Sequence, residues 1–548
     1  MKKTALLLLA FLIVNGIFAQ TPLTPADWQS DLRFLQETVH KDYSFLFKKT
    51  TAEKFDASVD KLYQEIPKLQ PHEIVAGFGR IVSSFAYGHT DIGWEQAPVK
   101  YHVLPLNLYW FTDGVYIEGA HKDYEKLVGA KVLKIEGLAV EDAMKAIRPL
   151  VPVENDQYFK ANGLDFLVIP EALHAQKVTK TLKNAITFTL ERDGKSFDHT
   201  ITAVESYRFP RKYGFVNPEK DWVSARNQAA TPLYLKNFDK IYYFEYLPES
   251  KTVYVRHSQI QDDPQENIPT FYDRVFDFIE KNDVEKLVID VRLNGGGNNY
   301  KNKPIVTGII RTKKINQPGK LYVLIGRRTF SACQNLVNEL HNYTNAIFVG
   351  EPTSENINFY GDNRRVELPK SKLPVYLSFA WWQDKPQWEN ADWLAPHVAV
   401  EMSFEDYRSN RDPILETALQ FKGGDFVLNP VRRLRELFEA KKMDQLQAEA
   451  QAMVKDPRYR FVDFEGEINQ SGYDLLSSNQ IDAAVYVFQL NTQLFPKSAN
   501  AWDSLGEAHW RAGLKDKAVE YYNKAIALDP NGSVGDNARK MLKQINGD

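Results

Sequence analysis

Two segments of this 548-residue chain carry residue types that can do chemistry together. In the first, Asp290-Val291-Arg292-Leu293-Asn294-Gly295-Gly296-Gly297, an apolar strand pattern runs into three glycines. Glycine takes positive φ freely and lets a ligand approach the backbone, so N–H groups exposed there can face a developing oxyanion. A tight turn without chemistry is the competing reading. A phosphate loop needs a Lys-Ser/Thr pair behind the glycines, and Asn298-Asn299 stand there instead. The second segment is Gly326-Arg327-Arg328-Thr329-Phe330-Ser331-Ala332-Cys333. Ser331 falls just past a strand pattern and just before a helical one. A nucleophile there is exposed at the sheet edge over a helix N-terminus, which favours negative charge, and the Ala332 N–H can serve the same oxyanion. The competing reading is a plain N-cap, a common use of serine. A serine hydroxyl is a weak nucleophile until a base takes its proton. Among the 11 histidines, His341 lies on the same helical pattern roughly two and a half turns on, facing away, and His397 sits beside the Pro396 turn. Cys333, the one cysteine, reads as a small buried residue. No His-Glu-x-x-His, no Cys/His cluster and no G-x-G-x-x-G spacing is present, so neither a metal nor a cofactor is expected.

The elements that must position these residues read as follows. Lys286–Val291, Leu321–Ile325 and Ala346–Val349 are short apolar runs of the buried-strand type, with a helical pattern over Ala332–Leu340. Strand–helix alternation across 206–422 predicts an α/β core. Residues 20–95 form a helical block: Leu32, Leu35 and Val39 are helix-spaced, and the block closes on Tyr87-Gly88-His89-Thr90. Residues 96–205 alternate as strands at Lys131–Ile135 and Ala185–Leu190. With GAKVLKIEGLAVEDAMKAI they resemble a PDZ-like domain, whose strand and helix form a peptide groove; an inserted helical segment near 150–180 departs from the compact pattern. Residues 423–548 hold an internal repeat. Gly472, Ala484, Phe488 and Pro496 recur as Gly506, Ala518, Tyr522 and Pro530, and Trp502, Leu505 and Ala525 complete a tetratricopeptide spacing. His509 stands where an aromatic is usual. Two repeats are fewer than an independent array needs, which predicts docking on the core or on a degenerate helix pair within 430–465.

Taken together, the Asp-x-Arg-x-Asn-Gly-Gly-Gly strand end and the following Thr-x-Ser-Ala resemble the tail-specific and tricorn-like serine peptidases. Gly350-Glu351-Pro352-Thr353, Trp388-Glu389-Asn390 with Pro396-His397-Val398, and Gly88-His89-Thr90 continue the likeness in order, over roughly residues 25–420. The resemblance implies a multidomain α/β protein with a crotonase-like α/β peptidase core, an N-terminal helical block, a PDZ-like β domain and C-terminal α-helical repeats. Tail-specific members pair Ser with a Lys after the Gly-x-x-Thr motif; Asn356 falls at that place and cannot act as a base. Tricorn-like members use Ser, His and Glu, which implies Ser331 as nucleophile, His89 as base and Glu389 as the carboxylate orienting His89. Asp392 and Glu351 compete for that last role. The oxyanion donors implied are the N–H groups of Gly295 or Gly296 and of Ala332.

Lys2 and Lys3 before an apolar run from Ala5 to Val14, with Ala19 before Gln20, predict a cleaved signal peptide over 1–19; a non-cleaved anchor is the alternative. No cysteine follows the run, so lipid anchoring is not expected. Without Lys2 and Lys3 the formal charge moves from −3 to −5, which argues against a nucleic-acid partner. These features predict an exported, periplasmic or extracellular peptidase with a peptide or protein substrate, a protein partner for its repeats and no membrane span once the signal is removed. The alternative is a non-catalytic peptide- or ligand-binding protein on the same fold.

Overall fold

A computed structural model describes residues 22–205, 210–423 and 426–547; the expected signal peptide lies outside them. Among the described residues no helix is long and apolar enough to cross a membrane.

The N-terminal block consists of α1 (Pro25–Asp42), α2 (Ala52–Glu65) and α3 (Pro71–Ser83). Each start is fixed locally. The Thr24 hydroxyl accepts the Asp27 N–H, Asp27 accepts the Thr24 N–H, and Pro25 fills a position that needs no donor. The inner faces of the helices bury Leu32, Leu35, Val39, Phe55, Leu62 and Phe78.

An antiparallel sheet follows: β1 (Leu106–Phe111), β2 (Gly114–His121), β3 (Lys131–Ile135), β4 (Ala185–Arg192) and β5 (Lys195–Thr202), paired in that order. Ile186, Phe188 and Leu190 alternate inward along β4. They meet Val140, Ala143, Met144 and Ile147 from α4 (Val140–Ile147). The helical insert contains α5 (Asp156–Asn162), capped by Asn155, whose side chain accepts the Tyr158 N–H.

The core sheet runs β6 (Tyr242–Leu247), β7 (Thr252–His257), β8 (Lys286–Asp290), β9 (Leu321–Ile325), β10 (Ile347–Gly350) and β13 (Val398–Ala399). Only β6–β7 is antiparallel. Such strands read as continuous apolar runs because both faces are covered. On one face Val253, Val255, Leu287, Ile289, Val323 and Phe348 pack with α6 (Ile268–Lys281), α7 (Lys303–Arg311) and α8 (Ala332–Tyr343). On the other, Tyr254, Val288, Tyr322, Leu324 and Val349 meet α9 (Pro413–Gln420) and the C-terminal helices.

A hairpin, β11 (Asn358–Glu367) and β12 (Pro374–Gln383), leaves the core and enters the N-terminal block. Leu368, Leu373, Val375 and Leu377 share one cluster with Trp28, Leu35 and Phe78. The buried Asp31 carboxylate accepts the N–H groups of Lys370 and Ser371, at 2.8 and 2.7 Å. Asp91 and Ile92 pair with Tyr376 and Val375. This clamp fixes the segment holding His89 against the core.

The C-terminal helices are α10 (Pro430–Glu439), α11 (Met443–Lys455), α12 (Phe464–Ser477), α13 (Ile481–Leu494), α14 (Ala499–Arg511), α15 (Lys515–Leu528) and α16 (Ser533–Asn546). The repeat glycines have a packing reason: a Cβ on Gly472 would lie 2.5 Å from the Phe488 ring, and one on Gly506 3.1 Å from the Tyr522 ring. Leu434, Met453, Phe464 and Ile468 join the cluster on the core sheet, so the helices dock there through α10, α11 and the first repeat helix, α12.

Candidate active site

Ser331 occupies the turn between β9 and α8 with φ 57° and ψ −129°. A non-glycine residue held there costs about 1–3 kcal/mol, a strain that persists only where its surroundings enforce it. The side chain makes no capping hydrogen bond to the helix, so N-capping does not account for this geometry. The enforcing contact is Gly296. At φ 98°, a Cβ on it would sit 2.5 Å from Ser331 Cβ and 2.9 Å from Ala332 N. Buried Asn294 locks this loop: its amide donates to the His257 carbonyl at 3.0 Å, and its Oδ1 accepts the Gly296 N–H at 3.0 Å. Gly296 N–H is thereby used. The N–H groups of Gly295 and Ala332 have no protein acceptor among the described residues, and the space beside Gly295 is open. Below the loop, Arg292 pairs with Asp290 and with both oxygens of Asp412, so the charged part of the first motif braces the strand end.

His89 is brought to this turn from the far side of the molecule. Its ring stacks on Phe330 at 4.8 Å between centroids. The neighbouring Gly88 donates its N–H to Glu154 Oε2 at 2.9 Å, and its carbonyl accepts the Tyr158 hydroxyl at 3.0 Å. A Cβ on Gly88 would lie 2.5 Å from Tyr158 and 2.8 Å from Phe330, so this position needs glycine.

The carboxylate beside His89 is Glu355. Its Oε1 lies 3.5 Å from His89 Nε2, a contact without hydrogen-bond alignment, and its Oε2 accepts the Ser331 N–H. Glu355 thus touches both the candidate base and the backbone of the candidate nucleophile. Glu389 lies elsewhere. It is exposed beside the exposed Trp388; its N–H reaches the Pro386 carbonyl at 2.9 Å and its carbonyl accepts Asn358 Nδ2 at 3.0 Å. Its side chain makes no hydrogen bond to His89 among the described residues. Of the other carboxylates, Glu351 is held by Arg327 through two 2.7 Å bonds, and Asp392 Oδ1 accepts Asn356 Nδ2 at 3.2 Å. His341 and His397 stack on each other away from Ser331, with Lys385 2.7 Å from His341 Nδ1. Cys333 is buried, and burial pushes its thiol well above the usual range.

The ionisable groups of the site are buried, and their titrations follow. Burial lowers His89 to about 4, against a smaller opposing pull from Asp362. Burial, and then the charge of Glu154, raises Glu355 well above the carboxylate range; the Ser331 N–H and Lys49 oppose this. Glu154 is raised to about 7, chiefly by burial, while Lys49 and the Gly88 N–H pull it down. Lys49 arrives from the N-terminal block. Its ammonium donates to Asn356 Oδ1 and to the Ala86 carbonyl, and stands 4.0 Å from Glu154 Oε1. An ammonium therefore reaches the asparagine at the place of the dyad lysine, but on a different element.

The fold is similar to that of mature CPAF. That crystal structure superposes with a TM-score of 0.50 at 11% identity, covering 74% of this chain and 99% of its own. The photosystem II D1 C-terminal processing protease matches at 15% identity over 73% of this chain and 98% of its own, with a TM-score of 0.33. Tricorn protease matches at 12% identity over 72% and 36%, with a TM-score of 0.35. The tetratricopeptide repeat model matches residues 499–531. Superkiller protein 3 of Schizosaccharomyces pombe (strain 972 / ATCC 24843) is 38% identical over 56 residues, 10% of this chain; the match spans only 4% of that relative.

Four residues at the site escaped the sequence reading: Glu355, Glu154, Tyr158 and Lys49. Glu355 had a faint signal, a charged residue in a short polar run between Pro352 and Ile357 just after the third core strand. Glu154 lies 202 residues before its partner Asn356, and Lys49 lies 307 before it; no local pattern links such positions.

Proposed function

We propose that the chain is a serine peptidase in which Ser331 is the nucleophile, His89 the general base and Glu355 the carboxylate orienting the base. The observation carrying this reading is that one buried carboxylate contacts both His89 and the strained Ser331 turn. In the reaction, neutral His89 takes the Ser331 hydroxyl proton as Oγ attacks the peptide carbonyl carbon. The carbonyl oxygen gains negative charge and is met by the Gly295 and Ala332 N–H groups and the N-terminus of α8. His89 then gives its proton to the departing amine, leaving an acyl-enzyme that water opens by the same steps reversed. Glu154 and Lys49 set the charge around Glu355, and Gly88 holds His89 in place. The sheet and helix over 96–205 act on substrate access, and residues 1–19 direct the chain out of the cytoplasm.

The test compares three full-length variants on a fluorogenic peptide library, with circular dichroism confirming the fold. Ser331→Ala abolishes cleavage. Glu355→Gln lowers kcat by roughly a hundredfold or more, because the Glu355 carboxyl group holds the imidazole in place beside the Ser331 turn. Glu389→Gln stays within a few-fold of the parent. A dead Glu389→Gln with an active Glu355→Gln overturns the assignment of the carboxylate.

A further inference from the structure

Beside the Ser331 turn lies a cavity of about 300 Å³ that the proposed chemistry does not use. Gly295 and Phe330 form the wall toward the reaction centre; Tyr158, Tyr213, Ser258 and Arg328 line the rest. A substrate whose carbonyl oxygen points at the Gly295 N–H places a flanking residue at this opening.

The cavity's charge is unbalanced. Two guanidinium groups, Arg327 and Arg328, line it, and Arg211 stands close to Arg328. Arg327 is neutralised by Glu351 through two 2.7 Å bonds, and Arg211 by Asp165 through bonds of 2.5 and 2.6 Å. Arg328 has no ion-pair partner among the described residues. Its one hydrogen bond there runs from Nη2 to the Ala161 carbonyl at 2.8 Å, and its buried Nε has no partner. The Gly214 backbone lies over it so closely that a Cβ on Gly214 would come within 2.5 Å of Nη2. Burial, with Arg211 and Arg327 nearby, lowers Arg328 to about 10. A guanidinium offers five N–H donors in a planar fork, and leaving it desolvated and unpaired is costly. A carboxylate entering the cavity relieves that cost and completes the fork with charge-assisted bonds.

We propose that this cavity is a specificity pocket for a carboxylate on the substrate residue flanking the scissile bond, read by Arg328. It rests on the serine-peptidase reading for the meaning of "flanking", but the anion site itself does not. An acidic side chain and a free C-terminal carboxylate share this chemistry, and the experiment separates them.

Binding is measured on the full-length Ser331→Ala chain, so that turnover plays no part. Fluorescent peptides carrying Glu, Gln or Lys at each position, each with an amide or an acid C-terminus, are titrated by anisotropy. The expected result is at least about a tenfold tighter Kd for Glu over Gln at one position, since truncating one partner of a buried charge pair loses that much or more. The preference disappears in Arg328→Gln, survives in part in Arg328→Lys, and turns toward Lys peptides in Arg328→Glu. A preference for acid over amide C-termini alone, lost in Arg328→Gln, assigns the same pocket to the chain terminus. Equal affinity across all pairs, measured before any Arg328 change, overturns the proposal; so does a Glu preference that survives Arg328→Gln. If the wild-type chain cleaves no peptide while these ratios hold, the peptidase reading falls and the carboxylate pocket stands.

Discussion

At the scale of single residues, the site is shaped by the burial of its titratable side chains. Burial depresses His89 because the imidazolium loses its hydration, and the pull of Asp362 offsets only part of that loss. The sign follows directly: the neutral, proton-accepting form prevails above about 4, so base function is lost only as pH falls through that value. The acid limb of kcat/KM, measured on an uncharged peptide, is therefore expected well below the ordinary imidazole value of about 6.5. A limb at 6.5 or higher contradicts a His89 lowered by burial. The placement of Ser331 between a strand and a helix, and of the glycines at a strand end, was legible in the sequence because each requirement is local. The carboxylate was not. Glu389 stood at the place the resemblance implies, but the side chain beside His89 belongs to Glu355, supported by Glu154 and Lys49 from other parts of the chain.

At the scale of elements, the proposed nucleophile and oxyanion donors lie at the ends of β8 and β9, and the proposed base follows α3. Parallel strands buried on both faces leave their C-terminal ends as the place where loops can present backbone N–H groups. Their apolar runs made the strands readable, and the period-3.6 patterns did the same for α1 and α8. The hairpin β11–β12 was not foreseen. Its inner residues meet another domain, and such contacts leave no periodic mark of their own. Gly296 is the position where element geometry and chemistry meet most tightly. Gly296→Ala adds a Cβ 2.5 Å from Ser331 Cβ in a left-handed backbone region. The expected outcome is a loss of roughly a hundredfold or more in kcat, comparable to removing an oxyanion donor, with a modest fall in Tm. Near-normal kcat in that variant would show that the loop does not shape the turn.

At the scale of the whole molecule, two attachments matter. The clamp of β11–β12 into the N-terminal helices holds the segment that brings His89 against Phe330 and Glu355, and α10, α11 and α12 pack the repeats on the back of the core sheet. The 34-residue repeat was plain in the sequence, and so was its shortage of units; its docking follows from the degenerate pair that precedes it. Truncation after residue 422 strips Leu434, Met453, Phe464 and Ile468 from the apolar face they cover. Hydrophobic burial of about 25 cal/mol per Å² makes such a loss large, so Tm is expected to drop by several degrees or more, with aggregation. Peptide hydrolysis is retained by whatever fraction stays folded, since no repeat residue touches the site. An unchanged melting curve by scanning calorimetry would mean the docking contributes nothing.

The central claim is that Ser331 is an activated nucleophile. Reaction of the full-length chain with a fluorophosphonate probe, followed by mass-spectrometric mapping of the adduct, tests it most directly. The expected result is a single adduct on Ser331 that is absent from Ser331→Ala and strongly reduced in His89→Ala. A correctly folded chain that takes up no probe, or one labelled at another serine, contradicts it.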